Sequence, residues 1–288
     1  MTKRILRVFP KRTVCTPDDE LVFIGRPPFR GMIPAHDEVH ISCTFTWDKT
    51  YCQELKDYWQ DGTDKSVLLG GPAFDCPAGD FTPGLYIKHG FTFTSRGCNN
   101  NCPWCCVPRI EGKLKELATI HPGNIIQDNN FLQCSRSHKD KVFEMLRGQK
   151  GIAFKGGLQA SLIDSHFIDG ISSLRIAELW VACDTPSALA RTVDGIAKLA
   201  KAGFPRRKIY CYVIVGKDMN EEEDRMSEIY NAGAIPRAQL LRDFSETKTE
   251  YSREWRAFEK MWQRPPATIA HMEKGTSYKD FMTGGKNK

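Results

Sequence analysis

The chain has 288 residues with a formal net charge of +6, of which 41% are hydrophobic and 26% charged, as in ordinary globular proteins. This length suffices for one large domain or two modest ones. No apolar run reaches the roughly 18 residues of a membrane-spanning helix, and the first residues lack the apolar stretch of a secretory signal. We therefore expect a cytoplasmic protein with no membrane partner. The charge permits a phosphate-bearing partner without requiring one.

Residues 1–85 predict a short α/β segment. Apolar stretches at 4–10, 39–46 and 66–71 are typical of strands, and 48–62 is typical of a helix, which together make one β-α-β unit. A stretch rich in Gly and Pro at 71–84 is typical of a linker or surface loop.

Residues 86–250 predict strands that alternate with helices. The predicted strands are 90–95, 124–130, 151–157, 177–184, 208–216 and 234–242. The predicted helices are 137–149, 164–174, 187–203 and 220–233, the third with Ser187 as its N-cap. This rhythm indicates a parallel sheet with helices, forming a barrel or partial barrel whose chemistry lies at the carboxyl ends of the strands. Residues 251–288 predict a helix ending before Pro265 and a tail.

Four of the eleven cysteines lie within residues 98–106. Three residues separate Cys98 from Cys102, two separate Cys102 from Cys105, and Cys106 follows directly. Structural zinc often takes two separated ligand pairs, and no second pair occurs here. Neighbouring side chains of an extended chain point to opposite sides, which disfavours Cys106 as a fourth ligand. Three thiolates suit an iron–sulfur cluster with one open iron, and a zinc knuckle or structural cluster is the alternative.

This spacing, with an aromatic residue before the third cysteine, resembles the signature of the radical S-adenosylmethionine (SAM) superfamily. The flanking residues resemble those of methylthiotransferases and cobalamin-type relatives. The resemblance implies that Cys98, Cys102 and Cys105 are catalytic and bind a 4Fe-4S cluster whose fourth iron binds SAM. An electron, from a donor such as flavodoxin or ferredoxin, then cleaves SAM to methionine and a 5′-deoxyadenosyl radical that abstracts hydrogen. The resemblance also implies a partial TIM-like (β/α)6 barrel, Trp104 near the adenine, and no assigned role for Cys106.

By the same resemblance, other SAM-binding residues lie at the strand ends. These candidates are Asp128, Asn129, Asn130, Gly156, Gly157, Gln159, Asp184, Gly216 and Ile235. Most have plainer alternatives: a polar turn for 128–130, a turn for the paired glycines, and a helix cap for Asp184. Arg242 is a candidate for a substrate carboxylate or phosphate, or for a surface ion pair with Asp243 or Glu246.

The first 85 residues resemble the later half of a cobalamin-binding domain, but they lack its Asp-x-His-x-x-Gly motif. We therefore expect a trimmed remnant that binds no cobalamin. Residues 40–245 also resemble compact radical SAM proteins often found in phage genomes, which leaves the substrate and reaction type open. Because phage genomes encode enzymes that modify DNA bases, the resemblance suggests a nucleotide, a modified nucleobase or a nucleic acid as substrate, with small molecules and peptides as open alternatives. The competing hypothesis is a non-catalytic zinc or iron–sulfur module that binds nucleic acid.

Overall fold

The computed structural model describes residues 3–76, 80–242 and 249–283. The strands are β1 Ile5–Phe9, β2 Val22–Ile24, β3 Glu38–Ser42, β4 Ser66–Gly70, β5 Phe91–Thr92, β6 Ser95–Arg96, β7 Lys115–Glu116, β8 Ile125–Ile126, β9 Ile152–Leu158, β10 Ile176–Ala182, β11 Ile209–Val215 and β12 Ile235–Leu240. The α-helices are α1 Lys49–Gly62, α2 Val107–Ile110, α3 Arg136–Arg147, α4 Ser165–Ser172, α5 Leu189–Lys201, α6 Met219–Asn231, α7 Arg253–Trp262, α8 Pro265–Lys274 and α9 Tyr278–Thr283. Within those ranges, no helix combines the length and apolar composition that spanning a bilayer requires.

The first sheet contains four parallel strands in the order β2-β1-β3-β4. One face packs against α1, because Leu55 and Trp59 recur at helical spacing and are fully buried against Val39 and Ile41. The prediction of a single β-α-β unit is too small. It omits β2, which pairs with β1 although it is only three residues long.

The second sheet contains six parallel strands in the order β12-β11-β10-β9-β8-β5. Because right-handed crossovers between sequential parallel strands all return over the same side, its helices share one face. That face holds the main core, where the rings of Phe131, Phe154 and Phe167 are all at most 1% exposed. The α/β class is confirmed. The two edge strands do not pair with each other in the described ranges, so the sheet is not a closed barrel, and the partial barrel stays a prediction.

Side-chain caps fix where several helices begin. Ser135, Asp164, Asp218 and Ser252 each accept a hydrogen bond from a backbone N–H in the first turn of the helix that follows. The predicted cap at Ser187 is wrong, because a short 3-10 turn precedes α5 and the Ser187 hydroxyl lies 3.0 Å from that of Thr185.

The C-terminal segment folds as three helices where one was predicted. Helix α7 ends at Trp262, before Pro265 as expected. A second helix then begins at Pro265 itself, because proline suits the first position of a helix, where no N–H bond is lost. Residues 284–288 of the predicted tail lie outside the described ranges.

Candidate active site

Residues 97–112, here called the cysteine loop, lie between the short antiparallel strands β6 and β7. The backbone N–H of Cys98 donates to the carbonyl of Gly112 at 3.1 Å, which closes the base of the loop. Gly97 has φ +76°, and a Cβ there would lie 2.2 Å from the carbonyl oxygen of Lys113, so only glycine fits. The sequence suggested that the loop directly follows the first strand of the large sheet. In the structure it follows β6, a short strand of a separate hairpin.

The four thiols of the loop are half-buried. The N–H of Cys105 donates to the carbonyl of Cys102 at 3.0 Å, which forms a turn, and Cys106 precedes the single turn of α2. Burial raises the pKa of the Cys102 and Cys105 thiols, and the Cys98 thiol adds to both shifts. Within the described ranges, no group of three His, Cys, Asp or Glu side chains has the arrangement of a metal site, so the ligand set stays a prediction.

Asp128 anchors the segment that leads into the cysteine loop. Its carboxylate is 1% exposed and accepts hydrogen bonds from the backbone N–H of Thr94 at 2.6 Å, the Thr94 hydroxyl at 2.5 Å and the Ser95 hydroxyl at 2.7 Å. Burial raises the pKa of Asp128, although these hydrogen bonds oppose the shift. Both carboxylate oxygens already accept bonds from the protein, and a role in SAM binding stays a prediction.

A network of side-chain amides lies beside the loop. The Gln159 carbonyl oxygen accepts from the amides of Asn130 at 2.9 Å, Asn100 at 3.0 Å and Gln133 at 3.2 Å. The Asn130 nitrogen also lies 3.9 Å from the sulfur of Cys98. The Asn130 oxygen is buried and has no hydrogen-bond partner among the described residues. The structure therefore brings two of the sequence candidates, Asn130 and Gln159, to the cysteine loop.

Asn129 also faces the loop, donating to the Glu111 carboxylate at 3.1 Å. Sequence reasoning missed Glu111, Gln133 and Asn100. The run of three asparagines at 99–101 inside the cysteine motif was the available signal, because amides that close together are suited to a hydrogen-bond network.

A cavity of about 440 Å³ opens beside the loop, between the ends of β10 and β11 and the helices that follow. This volume lies within the roughly 300–1,000 Å³ typical of small-molecule sites. Trp104, Asp184, Ile214 and Leu241 contribute to its lining. Burial raises the pKa of Asp184, although the nearby Trp104 indole and the Ile214 backbone oppose the shift. The structure therefore brings two further candidates, Trp104 and Asp184, together.

Two buried charged side chains of α6 shape the same cavity. The Glu222 carboxylate accepts from the backbone N–H groups of Gly216, at 3.0 Å, and Lys217, at 3.1 Å. The Arg225 guanidinium donates to the Ile214 carbonyl at 2.8 Å, while its Nε has no partner among the described residues. The Gly216 N–H is thus used within the protein, and sequence reasoning missed both charged residues.

The remaining glycine candidates have different surroundings. A Cβ on Gly156 would lie 1.8 Å from the carbonyl oxygen of Asp128, so this glycine allows β9 to approach the segment that follows β8. Gly157 has φ +101° with open space around it, and Gly216 has φ +130° against the ring of Tyr251. The two glycines with positive φ are explained by backbone conformation, and their contact with a cofactor stays a prediction.

The structure does not bring Ile235 to this edge. Ile235 begins β12 opposite Tyr210, at the amino end of the strand, whereas Leu241 lies at the carboxyl end and lines the cavity. The Arg242 guanidinium lies 5.3 Å from the ring of Trp47. The alternative ion-pair partners of Arg242, residues 243 and 246, lie outside the described residues.

No protein-family model matches the chain. A curated relative is the ribosomal protein uS12 methylthiotransferase RimO of a Nitratiruptor species, which is 30% identical over 113 residues. The aligned part is 38% of this chain and 24% of the relative, so the chain spans about a quarter of the length of the protein it matches. This similarity supports a distant relation to the radical SAM superfamily.

Proposed function

We propose that this protein is a radical SAM enzyme in which Cys98, Cys102 and Cys105 hold a 4Fe-4S cluster. The observation that carries the proposal is the position of three half-buried thiols beside a cavity lined by Trp104 and Asp184. Both lie at the carboxyl edge of a parallel sheet, where α/β folds place their ligands. The sequential strand order is compatible with a partial (β/α)6 barrel.

The donor chemistry of the loop fits an iron–sulfur cluster. Thiolate sulfur is the usual ligand of such clusters, and hydrogen bonds to sulfur tune their reduction potential. The backbone N–H of Asn100 already donates to the sulfur of Cys98 at 3.4 Å, and the Asn130 amide lies 3.9 Å from it. These two donors would stabilise a negatively charged Cys98 thiolate.

When bound, the cluster and SAM would together supply an electron and a 5′-deoxyadenosyl radical for hydrogen abstraction. The chain's own residues would bind and orient the cofactor. We infer that the Asp184 carboxylate would accept hydrogen bonds from ribose hydroxyls and that the Trp104 indole would stack on the adenine, because both residues line the cavity. Flavodoxin or ferredoxin would deliver the electron.

Anaerobic reconstitution of the full chain tests this proposal. We expect about four irons per chain, and 5′-deoxyadenosine on addition of SAM and dithionite. Cys102→Ala should lose bound iron and SAM cleavage, whereas the matched variant Cys76→Ala, at an exposed cysteine outside the loop, should retain both. Cys106→Ala should also retain iron.

A colourless protein with one zinc and intact SAM would contradict the proposal. That result would favour the non-catalytic nucleic-acid-binding module instead. Loss of iron in Cys106→Ala would show that all four thiols serve as ligands, which leaves no open iron for SAM.

A further inference from the structure

The second sheet has a face that carries no helix, here called its helix-free face. Along β11 the side chains of Ile209, Cys211 and Val213 are fully buried against the helices, and those of Tyr210 and Tyr212 alternate with them. Both tyrosines are partly exposed. The helix-free face therefore presents aromatic side chains that are only partly covered.

Three rings on this face form an aromatic platform, consisting of Trp180, Tyr210 and Tyr212. The Trp180 ring lies 4.6 Å from that of Tyr210 at 15° and 4.4 Å from that of Tyr212 at 29°. The Trp180 indole N–H donates to Glu178 at 2.7 Å, so its polar edge is satisfied. The three rings are nearly parallel. Trp180 is buried, with 8% of its surface exposed, and the partly exposed Tyr210 and Tyr212 offer ring surface to a planar ligand.

Charged groups at the edge of the platform favour an anion. Lys155 pairs with Glu178 at 3.1 Å. The Arg237 guanidinium lies about 6 Å from two rings of the platform, at 5.9 Å from Trp180 and 6.0 Å from Tyr210. In the part of the chain that the structure describes, Arg237 forms no salt bridge. The Arg237 side chain is partly exposed beside the rings, so its guanidinium donors can face a ligand.

The platform and the cavity of the candidate active site lie on the same two strands, β10 and β11. Ile214 follows Tyr212 by two residues and lies on the same face of the sheet. Asp184 follows Trp180 by four residues, and the same alternation puts it on that face as well. Both Ile214 and Asp184 line the cavity. Since two residues of a strand span about 7 Å, the cavity lining begins about 7 Å beyond Tyr212 along β11, at the carboxyl edge of the sheet.

We propose that the aromatic platform and Arg237 bind one nucleotide unit of the substrate. Its base would stack on Tyr210 and Tyr212, because every nucleobase has a π-face that such rings accept. Its phosphate would take the donors of Arg237, whose planar group matches phosphate oxygens. The role of this nucleotide as substrate rests on the proposed function, whereas its binding does not.

Direct binding to the full reconstituted chain tests the inference. Isothermal titration would compare a nucleoside 5′-monophosphate with its nucleoside, with inorganic phosphate, and with a short single-stranded oligonucleotide. We expect the monophosphate to bind more tightly than the nucleoside. Arg237→Gln should weaken monophosphate binding roughly tenfold and leave nucleoside binding unchanged, because a charge-assisted bond is lost. The exposed Arg207→Gln is the matched control and should change neither.

A second variant keeps the test independent of charge. Tyr210→Leu removes part of the stacking surface and should weaken both nucleoside and monophosphate about tenfold. The oligonucleotide distinguishes the sources: tighter binding of the oligomer indicates a nucleotide within a strand, and equal binding indicates a free nucleotide.

Absence of nucleotide binding, or binding unchanged in both variants, overturns the inference even if SAM is cleaved. Binding of an aromatic peptide without binding of nucleotides overturns it as well. Nucleotide binding by a chain that takes up no iron would instead overturn the proposed function and leave this site in place. Matching melting temperatures of the variants would show that the folds are intact.

Discussion

The two parallel sheets differ in what meets the face that carries no helix. In the first sheet, Arg7 is 5% exposed and donates to the Leu85 carbonyl at 3.0 Å, the Ile5 carbonyl at 2.8 Å and Asp19 at 2.5 Å. In the second sheet, the Arg237 guanidinium lies 5.9 Å from the centre of the Trp180 ring and is partly exposed. The same residue type thus serves folding in one sheet and stays available to a ligand in the other.

The sheets also differ in strand order. The first sheet reverses between β1 and β3, and open α/β sheets bind ligands beyond the strand ends at such a reversal. In the first sheet, protein side chains fill the space beyond the carboxyl ends of β1 and β3. Lys11 pairs with Asp48 at 2.8 Å and lies 4.7 Å from the ring of Phe45. The second sheet has no reversal, and its strand ends border the cysteine loop and the cavity.

The largest predicted effects come from replacing one glycine at each sheet, and the two variants should differ in iron content. Gly156→Ala places a Cβ 1.8 Å from the Asp128 carbonyl, and Gly71→Ala places one 2.5 Å from that of Cys43. Each should lower the free energy of unfolding by about 3 kcal/mol, because backbone must move. Urea unfolding measures this cost. Only Gly156→Ala should also reduce iron per folded chain, since it displaces Asp128 and with it the cysteine loop.

The matched control is Gly148→Ala, where the nearest atom lies 3.8 Å from the added Cβ. It should be nearly neutral in unfolding and in iron content. Full iron loading of folded Gly156→Ala would show that Asp128 does not position the loop.

A smaller effect should separate the two arginines. Arg7→Met should lower the free energy of unfolding by about 2 kcal/mol, because it leaves buried hydrogen-bond acceptors without donors. Arg237→Met should change it by less than about 0.5 kcal/mol. Chemical denaturation of the two variants measures both values. Equal costs would show that Arg237 also supports the fold, and the contrast between the sheets would fail.

The smallest effect concerns pH. Burial raises the pKa of Tyr212 to about 12, Glu178 and Cys15 add to the shift, and Arg237 opposes it. The contribution of neutral Tyr212 to the free energy of unfolding is complete below pH 10.0, the ordinary tyrosine pKa. It is lost as the pH rises to about 12, because in that interval Tyr212 ionises in the unfolded chain but not in the folded one. Between pH 10 and 12, the free energy of unfolding should fall less steeply with pH for Tyr212→Phe than for the wild type. Tyr58→Phe, at an exposed ring on α1, should keep the wild-type slope.

Apolar periodicity was sufficient to predict the long elements of both sheets. Strand β11 and helix α3 agree with prediction to within two residues at each end, because their alternating or helical patterns reflect burial on one side. Strands β2, β6 and β7 were missed, since two or three residues carry no period. They form through pairing with partners that the local sequence does not specify.

The candidate site was predictable where a motif or the end of a predicted strand marked its residues. The motif identified the cysteine loop, and position after a strand identified Asp184. The prediction put Ile235 among the residues at the carboxyl edge of the sheet. Ile235 is instead the first residue of β12, which ends at Leu240, so it lies at the opposite edge. Gln133 and Arg237 carried no local signal, since their neighbours come from distant segments that only the strand register brings together.

The closed base of the cysteine loop bears on how readily the protein can be loaded with metal. Joining two ends of a flexible segment costs conformational entropy that grows with its length. Here the hairpin and the hydrogen bond from Cys98 to Gly112 already hold the two ends of the loop together once the protein has folded. An incoming metal centre would then have to order only the short turn that carries the thiols, so uptake should track the folding of the hairpin.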